Sequence, residues 1–376
     1  MPEPVFREAV IDLGAIAANV RALRALVGTE HLIAVVKANA YGHGAVAAAR
    51  AALAGGADWL GTADIAEALE LREAGIEAPI LAWLHAPGET FATAIDAGID
   101  VGLSSLDQLE QVARTAGAAR RPARVQLKLD TGLSRNGFPR ADWESALARA
   151  AELGLGREVD VVGLFTHVSN ATIEDDSEAL RRFDEGIALA RELGIEPDLV
   201  HAAASAAAIR QPESRYTAVR LGISIYGLSP FPAQASAADL GLRPAMTLRG
   251  RVAAVKRVAA GTRVSYDYTY ECEKDTTLAL VPLGYAEGVP RAASNRARVA
   301  IAGATHPVAG RIAMDQFVVD VGDAPVAVGD EVVLFGDGAL GVPTAEDWAE
   351  AAGTINYEIV TRVGGRVARS YRGLEP

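Results

Sequence analysis

The segment Ala34-Val-Val-Lys37-Ala-Asn39-Ala-Tyr41-Gly42-His43-Gly44 places a lysine directly after an apolar run. A strand-end lysine that is half withdrawn from water loses proton affinity, because burial disfavours its charged form. Its neutral amine can then form a Schiff base or act as a general base. The plain alternative is a surface lysine whose stem lies along the fold while its ammonium stays wet. The same stretch holds Gly42-His-Gly44-Ala-Val-Ala47, which has the G-x-G-x-x-A spacing of a dinucleotide loop. In such a loop the first glycine follows the strand almost at once. Here five residues, Lys37 to Tyr41, intervene, so the match is a decoy.

Further candidates fall at the ends of later apolar runs: Lys128-Leu-Asp130-Thr131-Gly132-Leu-Ser134-Arg135, His167 in Gly163-Leu-Phe-Thr-His167, Ser205 in His201-Ala-Ala-Ala-Ser205, and Arg220-Leu-Gly222-Ile223. Each alone has a structural reading: His167 as a satisfied core histidine, Arg220 as an ion-pair partner. Shared placement at strand ends raises the functional reading, since barrel enzymes carry their chemistry there. Ser205 with the backbone N–H groups of Gly222 and Ile223 would suit a phosphate, and Gly222 lets it approach closely. A Schiff-base lysine and a phosphate site together point to pyridoxal phosphate.

The elements that must position these groups repeat one rhythm over the first 225 or so residues. Apolar runs at 32–36, 59–62, 79–83, 100–103, 124–129, 161–165, 199–203 and 218–223 alternate with helical stretches. Several runs are continuous Val, Ile and Leu, as in strands buried on both faces. Asp12 reads as an N-cap, with Ile16, Val20 and Leu23 on one helix face; Leu180, Phe183 and Ile187 repeat the pattern before a stop at Gly194. Eight strands alternating with helices predict an N-terminal (β/α)8 barrel, with an open doubly wound sheet as the lesser alternative. After a linker around Pro230, Pro232 and 233–239, β-branched runs at 252–258, 276–281, 298–301, 317–321, 331–335 and 367–371 predict a mainly antiparallel β domain. One helix interrupts it, opening at Thr344 with Asp347 as capping-box partner. The expected boundaries are 13–238 for the barrel and 239–376 for the β domain.

Composition removes several function classes. The chain has 376 residues, with 36 Lys and Arg against 48 Asp and Glu, a net charge of −12. That sign argues against a nucleic-acid surface. Half the residues are apolar, enough for a packed core. A single cysteine, Cys272, excludes an internal disulfide and a cysteine-rich metal site. No apolar run reaches a membrane span, and Glu3, Arg7, Glu8 and Asp12 leave no apolar signal region in the first dozen residues. The expectation is a cytoplasmic two-domain protein without a metal.

The lysine segment resembles the cofactor-attachment signature of the alanine racemases. The resemblance continues through Asp130-Thr131-Gly132 with Arg135, Arg220-Leu-Gly222-Ile223-Ser-Ile-Tyr226-Gly227, Val264-Ser265-Tyr266, Pro282-Leu-Gly284-Tyr285-Ala286-Glu287-Gly288, Gly310-Arg311-Ile-Ala-Met314-Asp315 and Thr354-Ile-Asn356-Tyr357-Glu358. It is ordered and covers nearly the whole chain. It implies a pyridoxal-phosphate enzyme interconverting L- and D-alanine for peptidoglycan. It also implies a head-to-tail homodimer in which each site joins one subunit's barrel to the other's β domain, with residues 1–12 packing with the β domain. Lys37 would carry the cofactor, and Tyr266 of the partner subunit would be the second base, because racemisation must take a proton from one face of Cα and return it to the other. His167 would support that tyrosine, Arg220 would face the pyridine nitrogen, and Asp315 would support the site. Tyr41, Ser205, Gly222 and Ile223 would hold the phosphate. Arg135, Met314 and Tyr285 would line the substrate side, and Lys128 is the position that family members carbamylate.

Three departures stand out: Ala204 before Ser205, where some members have Asn; Ala313 before Met314, where some have Cys; and no tyrosine near Gly364-Gly365, which predicts one phosphate contact fewer and weaker cofactor retention. The alternatives are a broader racemase acting also on serine, a decarboxylase, a non-catalytic pyridoxal-phosphate protein and a dehydrogenase. Arg220 and the isolation of Cys272 count against the decarboxylase. The β domain bearing Tyr266 counts against the non-catalytic protein, and the glycine spacing against the dehydrogenase.

Overall fold

The computed structural model describes residues 6–374. The chain divides into two compact units: one comprises Ala17–Ala38 and Ala52–Ile225, the other the described residues of Met1–Ile16, Asn39–Ala51 and Tyr226–Pro376. The first strand is β1 (Arg7–Asp12); residues 1–5 of the expected N-terminal segment lie outside the described residues.

Eight parallel strands follow: β2 (His31–Val35), β3 (Trp59–Thr62), β4 (Ile80–Ala82), β5 (Asp100–Leu103), β6 (Ala123–Lys128), β7 (Val159–Phe165), β8 (Leu199–His201) and β9 (Ala218–Leu221). Their order is β8-β7-β6-β5-β4-β3-β2-β9. The seam between β8 and β9 closes through Thr217 N–H to Val200 O and Arg220 N–H to Ala203 O. This is the expected (β/α)8 barrel. The helices form where their caps and apolar periods dictate. Asp12 Oδ1 accepts from Ala15 N at 2.8 Å, and Ile16, Val20 and Leu23 are buried in helix Leu13–Val27. Thr172 caps helix Ile173–Glu192, whose Leu180, Phe183 and Ile187 turn inward.

Small residues in the barrel wall make room for one large one. A Cβ on Gly61 of β3 would lie 2.7 Å from the Trp83 ring, and one on Gly102 of β5 would lie 3.0 Å from Trp83 Cβ. Trp83, just past β4, fills the space these two glycines leave.

The second unit contains β10 (Met246–Arg251), β11 (Ala254–Val258), β12 (Arg263–Val264), β13 (Tyr270–Glu271), β14 (Thr276–Val281), β15 (Arg298–Ile301), β16 (Ala304–Ala309), β17 (Phe317–Gly322), β18 (Glu331–Phe335) and β19 (Ala368–Arg372). Nine strands form one sheet in the order β11-β14-β17-β16-β15-β18-β10-β1-β19. All neighbours are antiparallel except β1 and β19. The predicted 252–258 run begins too early. Val252 N–H still bonds Asp330 O while Ala253 N–H bonds Leu280 O, so the chain changes partner strand there and splits into β10 and β11. Strand β16 escaped the sequence reading because Pro307 interrupts it, and proline argues against a central strand. Helix Ala345–Ala352 carries the expected capping box of Thr344 and Asp347.

Candidate active site

Lys37 is the second residue past β2, and the backbone after it turns the wrong way round. Ala38, Asn39, Ala40 and Tyr41 have φ of 52 to 53°, and Gly42 has 84°. This is a left-handed turn, which costs L-residues roughly 1–2 kcal/mol each. Local bonds hold it: Asn39 Oδ1 accepts from Ala45 N at 2.8 Å, and Glu67 Oε1 accepts from Ala38 N at 2.6 Å. A Cβ on Gly42 would meet Val360 O at 2.3 Å. The Lys37 ammonium lies 5.8 Å from the Trp83 ring. Burial, reinforced by Arg135, pulls its pKa below the ordinary value, and Glu67 partly opposes this.

The barrel brings together Lys37, Lys128, Arg135, His167 and Arg220, and the four cations among them all act electrostatically on His167. Burial and the Arg220 and Arg135 guanidiniums lower Lys128 to about 8. Burial and the same cations hold His167 neutral, at about 2. Arg220 is only 6 % exposed. Burial lowers it to about 9, so it remains a cation at neutral pH. Its Nη1 donates to His201 Nδ1 at 2.6 Å and His201 O at 3.2 Å. Its Nη2 donates to Thr166 O at 2.8 Å, Ala202 O at 2.9 Å and His167 Nδ1 at 3.0 Å. Nε–H is left without a partner among the described residues. The guanidinium is therefore immobile, charged and one donor short of satisfied.

Ser205 opens helix Ser205–Arg210, and its Oγ accepts from Gly222 N at 3.1 Å. Ala204 at the N-cap supplies no side-chain cap. Ser205, Gly222 and Ile223 thus lie together at the end of β9.

In the other unit, Tyr41 has its ring 5.1 Å from that of Tyr226 and 6.2 Å from that of Tyr357. Helix Asn356–Thr361 carries Tyr357 to the side of Tyr41, a tyrosine that the sequence reading gave no role. Tyr266 stands in a strained turn with Ser265, Asp267 and Tyr268 at φ of 62°, 59° and 50°. Ser265 Oγ donates to Arg311 O at 2.7 Å, and Arg311 Nε donates to Asp267 at 2.5 Å, so the turn is fastened at both sides. Tyr266 is 67 % exposed. Tyr285 and Met314 are neighbours: Tyr285 N donates to Ala313 O at 3.1 Å and Ala286 N to Met314 O at 2.9 Å. Asp315 pairs with Arg366 at 2.6 Å.

Three residues went unassigned in the sequence: Trp83 against Lys37, His201 against Arg220, and Tyr357 beside Tyr41. His201 was quoted only as a motif neighbour of Ser205, although it is the last residue of a strand, the same signal that marked Lys128.

Comparison with known proteins agrees with this arrangement. The family model described as alanine racemase, N-terminal domain, matches residues 11–230, and the alanine racemase C-terminal domain matches 245–371. Alanine racemase from Thermobifida fusca is 52 % identical over 375 residues, covering 98 % of each chain. The crystal structure of alanine racemase from D-cycloserine-producing Streptomyces lavendulae is 50 % identical, with a TM-score of 0.97, covering 99 % of this chain and 98 % of that one. Alanine racemase from Streptomyces coelicolor superposes with a TM-score of 0.95 at 49 % identity, covering 97 % and 98 %. Sequence, fold and strand-end chemistry converge, and the chain belongs to the alanine racemase family, isomerases that interconvert the two enantiomers of alanine.

Proposed function

We propose that the chain racemises alanine by two-base chemistry with pyridoxal phosphate, in a homodimer whose subunits share each site. The supporting observation is Arg220: a buried cation fixed by four acceptor residues, with only Nε–H to offer a ligand. Such a donor fits an unprotonated pyridine nitrogen, and it opposes ring protonation because like charges disfavour the charged form. Lys37, with its depressed pKa, is suited to hold the cofactor aldehyde. Ser205, Gly222 and Ile223 fit its phosphate, and the family resemblance adds Tyr41. When bound, the group supplies the conjugated ring that makes the substrate Cα acidic.

The side chains then divide the work. Lys37 Nζ takes or returns the Cα proton on one face. Tyr266 of the partner subunit does so on the other, through its hydroxyl. His167 accepts from Arg220 at Nδ1, so its Nε2–H is free to hold that hydroxyl's proton balance. Arg135 binds the substrate carboxylate. Met314 and Tyr285 narrow the side-chain space toward methyl, with Asp315 and Arg366 bracing the segment. Lys128 sits repelled by Arg220, Arg135 and Lys37. Addition of carbon dioxide to its neutral Nζ, forming an N–C bond and releasing one proton, replaces a repelled charge by an attracted one. No described helix is long and apolar enough to cross a membrane. The reading places the enzyme in the cytoplasm, supplying D-alanine for peptidoglycan, with the barrel at 13–238 and the β domain at 239–376.

Chiral chromatography of L-alanine and L-serine, each incubated with the pyridoxal-phosphate-loaded protein, tests the reading. Alanine approaching an equal mixture while serine lags supports it. Comparable rates favour the broader racemase, and cofactor binding without D-product overturns it.

A further inference from the structure

A line of buried polar side chains runs inside the barrel from the N-terminal ends of its strands to Arg220. Asp100, the first residue of β5, accepts from Arg124 Nε at 2.7 Å and from Gln126 Nε2 at 3.0 Å. Gln126 Oε1 lies 2.8 Å from His201 Nε2, and His201 Nδ1 lies 2.6 Å from Arg220 Nη1. Gln126 and His201 are fully buried. Along β6, Arg124, Gln126 and Lys128 share one face by strand alternation. Apolar side chains normally fill barrel interiors, so an amide there needs a reason. The wall is shaped for it: a Cβ on Gly163 would lie 2.8 Å from Gln126 Oε1. Phe165, two residues on, stacks on His201 at 4.9 Å and 10°.

The donor and acceptor inventory fixes every direction in this line. Burial pushes the Asp100 carboxyl up while the Arg124 cation pulls it down, and both of its oxygens already accept, Oδ1 from Arg124 and Oδ2 from Gln126. Gln126 must turn its NH2 toward Asp100 and therefore its carbonyl toward His201. His201 must then carry its proton on Nε2, which leaves the Nδ1 lone pair for Arg220, a group that only donates. We propose that Asp100 and Gln126 are positioning residues that fix the His201 tautomer and, through it, the acceptor that holds Arg220. This rests on the reading of Arg220 as the cofactor's ring partner.

The test uses the histidine-15N-labelled holoenzyme, with long-range 1H–15N spectra and His201→Asn to assign the signal. The native protein is expected to show Nε2–H with unprotonated Nδ1. In Asp100→Asn the new amide can either donate or accept. Gln126 can then turn, a second His201 species with Nδ1–H appears, and kcat for alanine falls about tenfold, as for other supporting partners of a site group. The double variant Asp100→Asn/Gln126→Glu restores the polarity, because the amide donates to the carboxylate and the carboxylate accepts from Nε2–H. The single tautomer and most of kcat return. Nδ1–H in the native protein overturns the proposal without any variant. So does an unchanged kcat in Asp100→Asn, or a double variant no better than the single. The cofactor absorbance of Arg220→Gln reports separately on the reading of Arg220, so the two failures can be told apart.

Discussion

The barrel's strand ends and the tyrosine face of the β unit prepare for chemistry in opposite ways. In the barrel the side chains are finished: Arg220 is 6 % exposed and bonded to four residues, and burial together with the neighbouring cations holds His167 neutral. On the β unit the backbone is finished and the side chains are not. The turn of Tyr266 and the loop of Tyr285 and Met314 are locked by hydrogen bonds, yet Tyr266 is 67 % and Met314 53 % exposed. The proposed shared sites would use both, taking preorganised charge from one subunit's barrel and rigidly mounted, uncovered side chains from its partner's β unit.

The sharpest way to break this comparison is to separate the halves. Lys37→Ala and Tyr266→Phe are each expected to lose about 10²–10⁴-fold in kcat, toward the upper end, since each removes a general base. If the halves belong to different subunits, unfolding and refolding the two variants together restores about a quarter of native activity, because half the dimers are hybrids with one intact site. No recovery means that both bases come from one chain. Next in size is Arg220→Glu, expected to cost about 10²–10³-fold, as removal of a preorganised donor does elsewhere. Transamination during turnover should rise, because a carboxylate favours ring protonation; an unchanged transamination rate refutes that role for the guanidinium. On the other face, Met314→Ala and Tyr285→Ala should raise the serine-to-alanine ratio of kcat/KM roughly tenfold, the usual worth of a small group in a pocket.

The smallest effect concerns Lys128. Its folded pKa is about 8 against an ordinary 10.5. Between those values the unfolded chain holds a proton that the folded chain lacks, so stability rises with pH across that window and is lowest below it. In carbon-dioxide-free buffer, Lys128→Met should flatten the rise in Tm between pH 8 and 10.5. Added bicarbonate should flatten it in the native protein too.

How much of this was legible in the sequence follows the same division. All eight barrel strands could be read from short apolar runs alternating with helical stretches, several of them continuous Val, Ile and Leu, and Thr344 with Asp347 announced their helix. The residues at strand ends were visible because one positional rule covers them. Strand β16 was hidden by Pro307, and the break between β10 and β11 by an unbroken β-branched run whose hydrogen bonds change partner at Val252-Ala253. Tyr357 and Trp83 were overlooked for another reason: their roles come from what packs beside them, Tyr41 in one case and two distant glycines in the other. No local pattern encodes a neighbour that far along the chain.

The left-handed turn after β2 has a consequence in time. Four non-glycine residues, Ala38 to Tyr41, hold a conformation that an isolated peptide abandons, and only the bonds from Glu67, Ala45 and their surroundings keep it. Backbone of this kind persists only where the rest of the structure over-determines it. The segment therefore orders late in folding, after the elements that clamp it. Substitutions such as Ala38→Gly and Ala40→Gly should alter the unfolding rate while leaving the folding rate nearly untouched. On the proposed reading, a partly folded chain would then not display Lys37 in working form.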